Sequence, residues 1–172
     1  MTCAGDDSRV GLGPRIPMAV YHALERWNAE RIGAMALYCS DGRWGEAFDE
    51  FCHRHLHLPR YDRWAVPGGP ACLCAASEEP ALCAARTQLD FLVRVHDLER
   101  LVLITHYGCA WYGQRLGRPP DECLATQIAE VRTAADILRS WYSGMRVEAY
   151  LAMQQHGWLS FHAIDSGRPA WP

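Results

Sequence analysis

The chain has 172 residues, a formal charge of −3 and 49% apolar composition, which fits one domain with a sizeable core and offers no basic surplus for nucleic acid. No apolar run approaches the ~20 residues that a membrane span needs, and the opening Met-Thr-Cys-Ala-Gly-Asp-Asp has neither the basic nor the apolar part of a signal peptide. All seventeen basic residues are arginine, so Schiff-base chemistry through a lysine is excluded.

Residues 1–16 are rich in Gly and Asp and show no period, so a flexible N-terminal arm is expected there, followed by a single α/β domain over 17–172. From Pro17 to about Arg31, Met18, Tyr21, Leu24 and Trp27 recur at helical spacing, and Gly33 closes the segment. Ala34 to Tyr38 is short, apolar and bounded, as a buried strand is. Residues 45–57 read as a helix with Phe48, Phe51 and Cys52 on one face, stopped by Pro59. Tyr61 to Val66 is a strand candidate, and Pro67-Gly68-Gly69-Pro70 must turn. A helical stripe of Leu82, Ala85, Leu89 and Leu92 runs from Pro80 to about Leu98.

Arg100 to Thr105 carries Leu-Val-Leu-Ile, the strongest strand signal of the chain. A turn and short helix follow over 106–116. Pro119-Pro120 opens the longest helix, to about Ser143, with Leu124, Ile128, Val131, Ala135, Leu138 and Tyr142 on its apolar face and Gly144 as its cap. Val147 to Ala152 and Trp158 to Ile164 are the last strands. Strand and helix alternate, which predicts an α/β fold with a largely parallel central sheet flanked by helices. Sites in such sheets form at the carboxyl ends of the strands.

Two motifs sit at such ends. Cys39-Ser40-Asp41-Gly42-Arg43 follows the first strand, and His106-Tyr107-Gly108-Cys109 follows the Leu-Val-Leu-Ile strand. Cys39, His106 and Cys109 supply two thiolates and an imidazole, which neutralise a zinc dication and leave its fourth position open. Asp41 has two open roles: fourth metal ligand, or acceptor of a hydrogen bond from water in that position. Arg43 stands two residues further on, where a bidentate pair with Asp41 would hold the carboxylate off the metal. A thiol-phosphatase reading of Cys39 fails, because that chemistry wraps a longer loop between its cysteine and arginine than the four steps from Cys39 to Arg43. Eight cysteines in a chain of this size without an export signal fit reduced or metal-bound thiols, and hence a cytoplasmic location, better than a disulfide framework.

Other clusters have plainer readings. His53, His55 and His57 suggest a proton-shuttle patch or an adventitious metal site, and fit a solvated helix end better. Cys72, Cys74 and Cys83 lack the usual Cys-x-x-Cys spacing of a second zinc site and read as buried or loop thiols. Trp111 and Tyr112 follow the second motif closely and could line the pocket, with aromatic core packing as the default reading.

The pair Cys-x-Asp-x-Arg and His-x-x-Cys resembles the β-class carbonic anhydrases. The resemblance extends to the strand and Gly-containing loop of Asp62 through Gly69, the helix of Ala84 to Leu98, and the Gly-Trp strand and turn from Gly157-Trp158 through Gly167. It spans roughly residues 34–167. It implies that Cys39, His106 and Cys109 bind Zn2+, that Asp41 and Arg43 form a gating dyad, and that hydroxide made at the metal hydrates carbon dioxide reversibly to bicarbonate. It also implies a homodimer or larger homo-oligomer. Two stretches depart from the family pattern. Val66-Pro67-Gly68-Gly69-Pro70 replaces a polar run, and Tyr107 is bulkier than its usual counterpart, which predicts a narrowed or reshaped pocket. These departures leave two alternatives: a hydrolase of carbonyl sulfide or carbon disulfide, and a zinc-bearing homologue without turnover that acts as a sensor or assembly partner.

Overall fold

In the computed structural model, residues 17–74 and 79–164 are described, so the expected arm over 1–16 and the last part of the closing turn lie outside the described residues. The contacts divide the chain into two units, one ending at Glu30 and one beginning at Arg31.

In the first unit, residues 17–30 form neither helix nor strand, which corrects the helix expected from Pro17 to Arg31. Met18, Tyr21, Leu24 and Trp27 do recur at helical spacing, but their side chains are exposed, Trp27 at 91%. An isolated segment of this length gains too little from its own hydrogen bonds to stay helical when its apolar face is not buried.

The second unit is built on a five-stranded sheet of order β2-β1-β3-β4-β5. Its strands are β1 Ala34–Cys39, β2 Asp62–Val66, β3 Arg100–His106, β4 Arg146–Gln155 and β5 Trp158–Ala163. The first four pair in parallel, and β5 returns antiparallel to β4 through a tight hairpin. Helix α1 (Gly45–Glu50) runs on into a π-helical turn over Phe51–His55. A short 3-10 turn covers Gly69–Leu73, and α2 (Glu79–His96), α3 (Ala110–Leu116) and α4 (Pro120–Trp141) complete the unit.

The period-2 alternation of each strand divides its side chains between two cores. Met35, Leu37, Leu101, Leu103, Val147 and Leu151 pack under Leu89 of α2 and Val131, Ala134 and Leu138 of α4. Ala36, Tyr38, Val102, Ile104 and Ala152 face the other way, under Phe48, Phe51 and Cys52. Burial on both faces is why β1 and β3 read as continuous apolar runs. The chain leaves β1 toward β2 and then crosses back to β3 on the other side of β1. The crevice outside the carboxyl ends of β1 and β3 is therefore the topological switch point, where ligands bind in sheets of this type.

Candidate metal centre

Cys39 is the last residue of β1, His106 the last of β3, and Cys109 the N-cap of α3. All three are buried, and their ligand atoms lie within 4.8 Å of one another, which makes them a possible metal-holding group. The two sulfurs are 3.7 Å apart. Two zinc–sulfur bonds of ~2.3 Å at a tetrahedral angle require about 3.8 Å, so the thiol pair already has the spacing of one tetrahedral edge.

Local backbone geometry prepares each donor. The N–H groups of Asp41 and Gly68 point at the Cys39 sulfur. Those of Trp111 and Tyr112, in the first turn of α3, point at the Cys109 sulfur. The Cys109 thiol donates to Cys39 and holds it down to about 4, well below an ordinary thiol. The same contact, with burial, pushes Cys109 up. A dication held between the two sulfurs would take the place of the thiol proton.

The imidazole of His106 is fully buried. Its Nδ1 lies 2.9 Å from the Tyr107 carbonyl, so Nδ1 carries the proton and donates it there. Nε2 is then a bare acceptor, and it is buried without a hydrogen-bond partner. A buried orphan of this kind asks for an explanation, and a metal ion between it and the two sulfurs supplies one. The donor set of two sulfurs and one imidazole nitrogen fits zinc.

Asp41 is not a member of the three-donor group. Its Oδ1 accepts from the Arg43 backbone N–H at 3.1 Å and from Nε at 2.9 Å, and its Oδ2 accepts from Nη2 at 2.5 Å. The expected bidentate pair is therefore present. These bonds hold the Asp41 carboxyl down to about 2.

The Gly-Pro loop shapes the site through its backbone. Gly68 and Gly69 both have left-handed φ, +76° and +55°. A Cβ on Gly69 would lie 2.8 Å from the Cys39 nitrogen, and one on Gly68 would lie 2.6 Å from the Trp111 ring. Glycine is required there so that the loop can lie against the strand end that carries Cys39.

Two neighbours of the site, Trp44 and Gln127, were not legible as such. Trp44 packs against His106 with ring centroids 4.8 Å apart and ring planes tilted by 36°; its only sequence signal is its place right after Arg43. Gln127 is fully buried and donates from Nε2 to the His106 carbonyl at 3.1 Å. It is a polar residue one turn from Val131 on the buried face of α4, and that break in the stripe was its signal. Trp111 packs on Gly68 and under the Arg115 guanidinium, 4.6 Å from its ring centre. Tyr107, expected to narrow or reshape the pocket, donates its hydroxyl to Asp121 at 2.7 Å. Among the described residues, Cys72, Cys74, Cys83 and the three histidines near Cys52 form no further metal-holding group. Cys74 donates instead to the Glu130 carbonyl.

The sequence pattern of the family described as "Putative carbonic anhydrase" matches residues 29–159. No curated protein matches the chain. Among solved structures, it is similar to the β-carbonic anhydrase CafA of the fungus Aspergillus fumigatus, with 15% identity, a TM-score of 0.54, and coverage of 81% of this chain and 78% of that one. It is also similar to a structure reported with two tetrameric β-carbonic anhydrases of Sordaria macrospora, with 12% identity, a TM-score of 0.51, and coverage of 77% and 81%. At such identities the structural likeness shows the fold, while the match over most of the chain shows the family: the chain belongs to this carbonic anhydrase family, as a divergent member with the β-class fold.

Proposed function

We propose that the chain is a zinc-dependent carbonic anhydrase that hydrates carbon dioxide reversibly to bicarbonate, with Cys39, His106 and Cys109 as metal ligands and Asp41 and Arg43 as the gating dyad. The observation that carries this reading is the three-donor group at the switch point, with His106 Nε2 buried, bare and facing two sulfurs 3.7 Å apart.

Zinc bound there supplies a Lewis acid that lowers the pKa of water from 15.7 to about 7. The protein's own residues do the rest. The Asp41 and Gly68 N–H groups stabilise the Cys39 thiolate, and those of Trp111 and Tyr112 stabilise Cys109. The Tyr107 carbonyl fixes the His106 tautomer, and Gln127 anchors the His106 backbone. Arg43 occupies both Asp41 oxygens. It thereby keeps the carboxylate ionised as a hydrogen-bond acceptor and would hold it off a bound metal. Trp44 packs against the imidazole, with ring centroids 4.8 Å apart.

The described part of the chain has no helix long and apolar enough to cross a membrane. The tetrameric Sordaria proteins support a homo-oligomer here. Stopped-flow hydration by zinc-loaded protein tests the proposal. Carbon dioxide turnover that is lost on chelation and restored by zinc supports it. Activity confined to carbonyl sulfide or carbon disulfide replaces it with the hydrolase reading. Intact zinc without turnover above pH 8 replaces it with the sensor or assembly reading.

A further inference from the structure

At the opposite end of the sheet from the metal centre, a cavity of about 460 Å³ opens between the first residues of β3 and β4 and the end of the π-helical turn. Arg100 and Arg146 start the two strands side by side in register. His106 ends β3 six residues after Arg100, and at ~3.3 Å per residue the two ends are roughly 20 Å apart. This cavity is therefore separate from the metal centre, and no role described above uses it.

Its lining is prearranged. Glu148 accepts from Arg100 Nε at 2.5 Å, Arg146 Nη2 at 2.8 Å and the Tyr150 hydroxyl at 3.2 Å. One carboxylate thus orients two guanidiniums and a phenol. The Arg100 and Glu148 side chains are only 16% and 19% exposed, so both are held in place. Arg100 Nη1 also donates to the Leu56 carbonyl at 2.9 Å, which ties the strand to the loop carrying His57. His57 sits at φ +55°, a left-handed conformation uncommon for a side-chain-bearing residue. Its neighbours hold it there, since the Leu58 N–H bonds to the Cys52 carbonyl as well. His55, stacked on Phe51, completes the opposite wall.

The charges do not cancel. Two guanidiniums face one carboxylate, a surplus of one positive charge from these three groups. The nearby Arg54 and Glu50 neutralise each other. Each arginine keeps N–H donors that Glu148 does not take, and these arrive from the sheet while the imidazoles arrive from the helix side. Donors converging from two walls suit a tetrahedral oxyanion better than a planar one, and rigid guanidinium forks are the usual phosphate readers. The cavity also exceeds the size of a bare phosphate, with Tyr150 and Leu56 among its lining residues.

From this arrangement we propose that Arg100, Arg146, His55 and His57 form a binding site for the phosphate group of a small phosphomonoester, remote from the metal centre.

The test is amide shift mapping on the full-length, zinc-loaded protein. Inorganic phosphate, glycerol phosphate and acetate are titrated at constant ionic strength. The expected result is a saturable response at residues 55–57, 100 and 146–150, with glycerol phosphate at least as tight as phosphate and acetate roughly tenfold weaker or more. Arg146→Gln, at an exposed position, is expected to weaken phosphate binding roughly tenfold with melting temperature and hydration rate unchanged. His57→Asn, which keeps a residue tolerant of left-handed φ, is expected to weaken it severalfold. A non-saturating response, a response centred on residues 39, 106 and 109, equal binding of acetate, or unchanged binding by Arg146→Gln would each overturn the proposal.

Discussion

Replacing Gly69 by alanine tests whether the Gly-Pro loop shapes the metal centre. The added Cβ would lie 2.8 Å from the Cys39 nitrogen, 2.9 Å from the Tyr38 carbonyl carbon and 3.3 Å from the Ile104 oxygen. All three are backbone atoms of β1 and β3, so no side chain can swing aside. Two costs combine. Holding an L-residue at φ +55° costs about 1–2 kcal/mol, and overpacking a rigid contact costs about 1–3 kcal/mol. The expected total is about 2–5 kcal/mol, a large part of a typical domain's net stability. Gly33→Ala is the control. Gly33 has φ +70°, but a Cβ there would meet nothing within 4 Å, so it incurs only the first cost, about 1–2 kcal/mol. The change in unfolded-chain entropy is common to both variants and cancels between them. Equilibrium urea unfolding of metal-depleted protein measures the difference, expected at about 1–3 kcal/mol. Chelator competition measures zinc affinity, which should fall in Gly69→Ala and not in Gly33→Ala, because the clash falls on the Cys39 backbone. Equal destabilisation by the two variants, or wild-type zinc affinity in Gly69→Ala, would refute the reasoning.

Asp41→Ala should keep zinc and lose most of its hydration rate, whereas Cys109→Ser should lose the metal; zinc content and stopped-flow rates on the same samples separate the two roles. Arg43 hydrogen bonds hold Asp41 down to about 2. The stabilisation from this pair is therefore complete above the ordinary aspartate pKa and disappears as pH falls through about 2. Carbon-detected NMR titration should show Asp41 ionised throughout pH 4–9 in wild type, and titrating closer to the ordinary ~3.9 in Arg43→Gln. Burial pushes Cys52 up to about 11 and Cys74 up to about 12, while Cys83 is exposed. Iodoacetamide at pH 8 should alkylate Cys83 in the folded, zinc-loaded protein and reach Cys52 and Cys74 only after unfolding, as peptide mass spectrometry would show.

Much of the sheet was legible because parallel strands covered on both sides leave the plainest pattern. Leu101 to Ile104 lies wholly inside, and both metal-site motifs follow such strands directly. The segment 17–30 misled because periodicity reports a possible face and says nothing of what covers it; with Leu24 at 96% exposure, that face is not buried. The π-helical turn over Phe51–His55 was illegible for a different reason. Its one-residue offset leaves the apolar spacing of Phe48, Phe51 and Cys52 almost unchanged, so residues 45–57 read as ordinary helix. At the candidate metal centre Cys39, His106 and Cys109 were picked out by type and spacing, and the structure brings the three donors together. Their supports were not picked out, because the loop acts through backbone N–H and glycine conformation at Gly68 and Gly69, and Gln127 acts from a helix far away in sequence. The polar side chains missing from 66–70 put subunit contacts and pocket lining in question, while the loop's contacts to Cys39 are made by its main chain.

X-ray absorption spectroscopy on protein purified without chelator and reconstituted with zinc tests the central claim most directly. The account predicts one zinc per chain with two sulfurs at ~2.3 Å, one imidazole nitrogen at ~2.0–2.1 Å and one further light atom. The sulfur signal should fall by half in Cys109→Ser or vanish with its metal. Protein that takes up no zinc, or a zinc shell without sulfur, would contradict it.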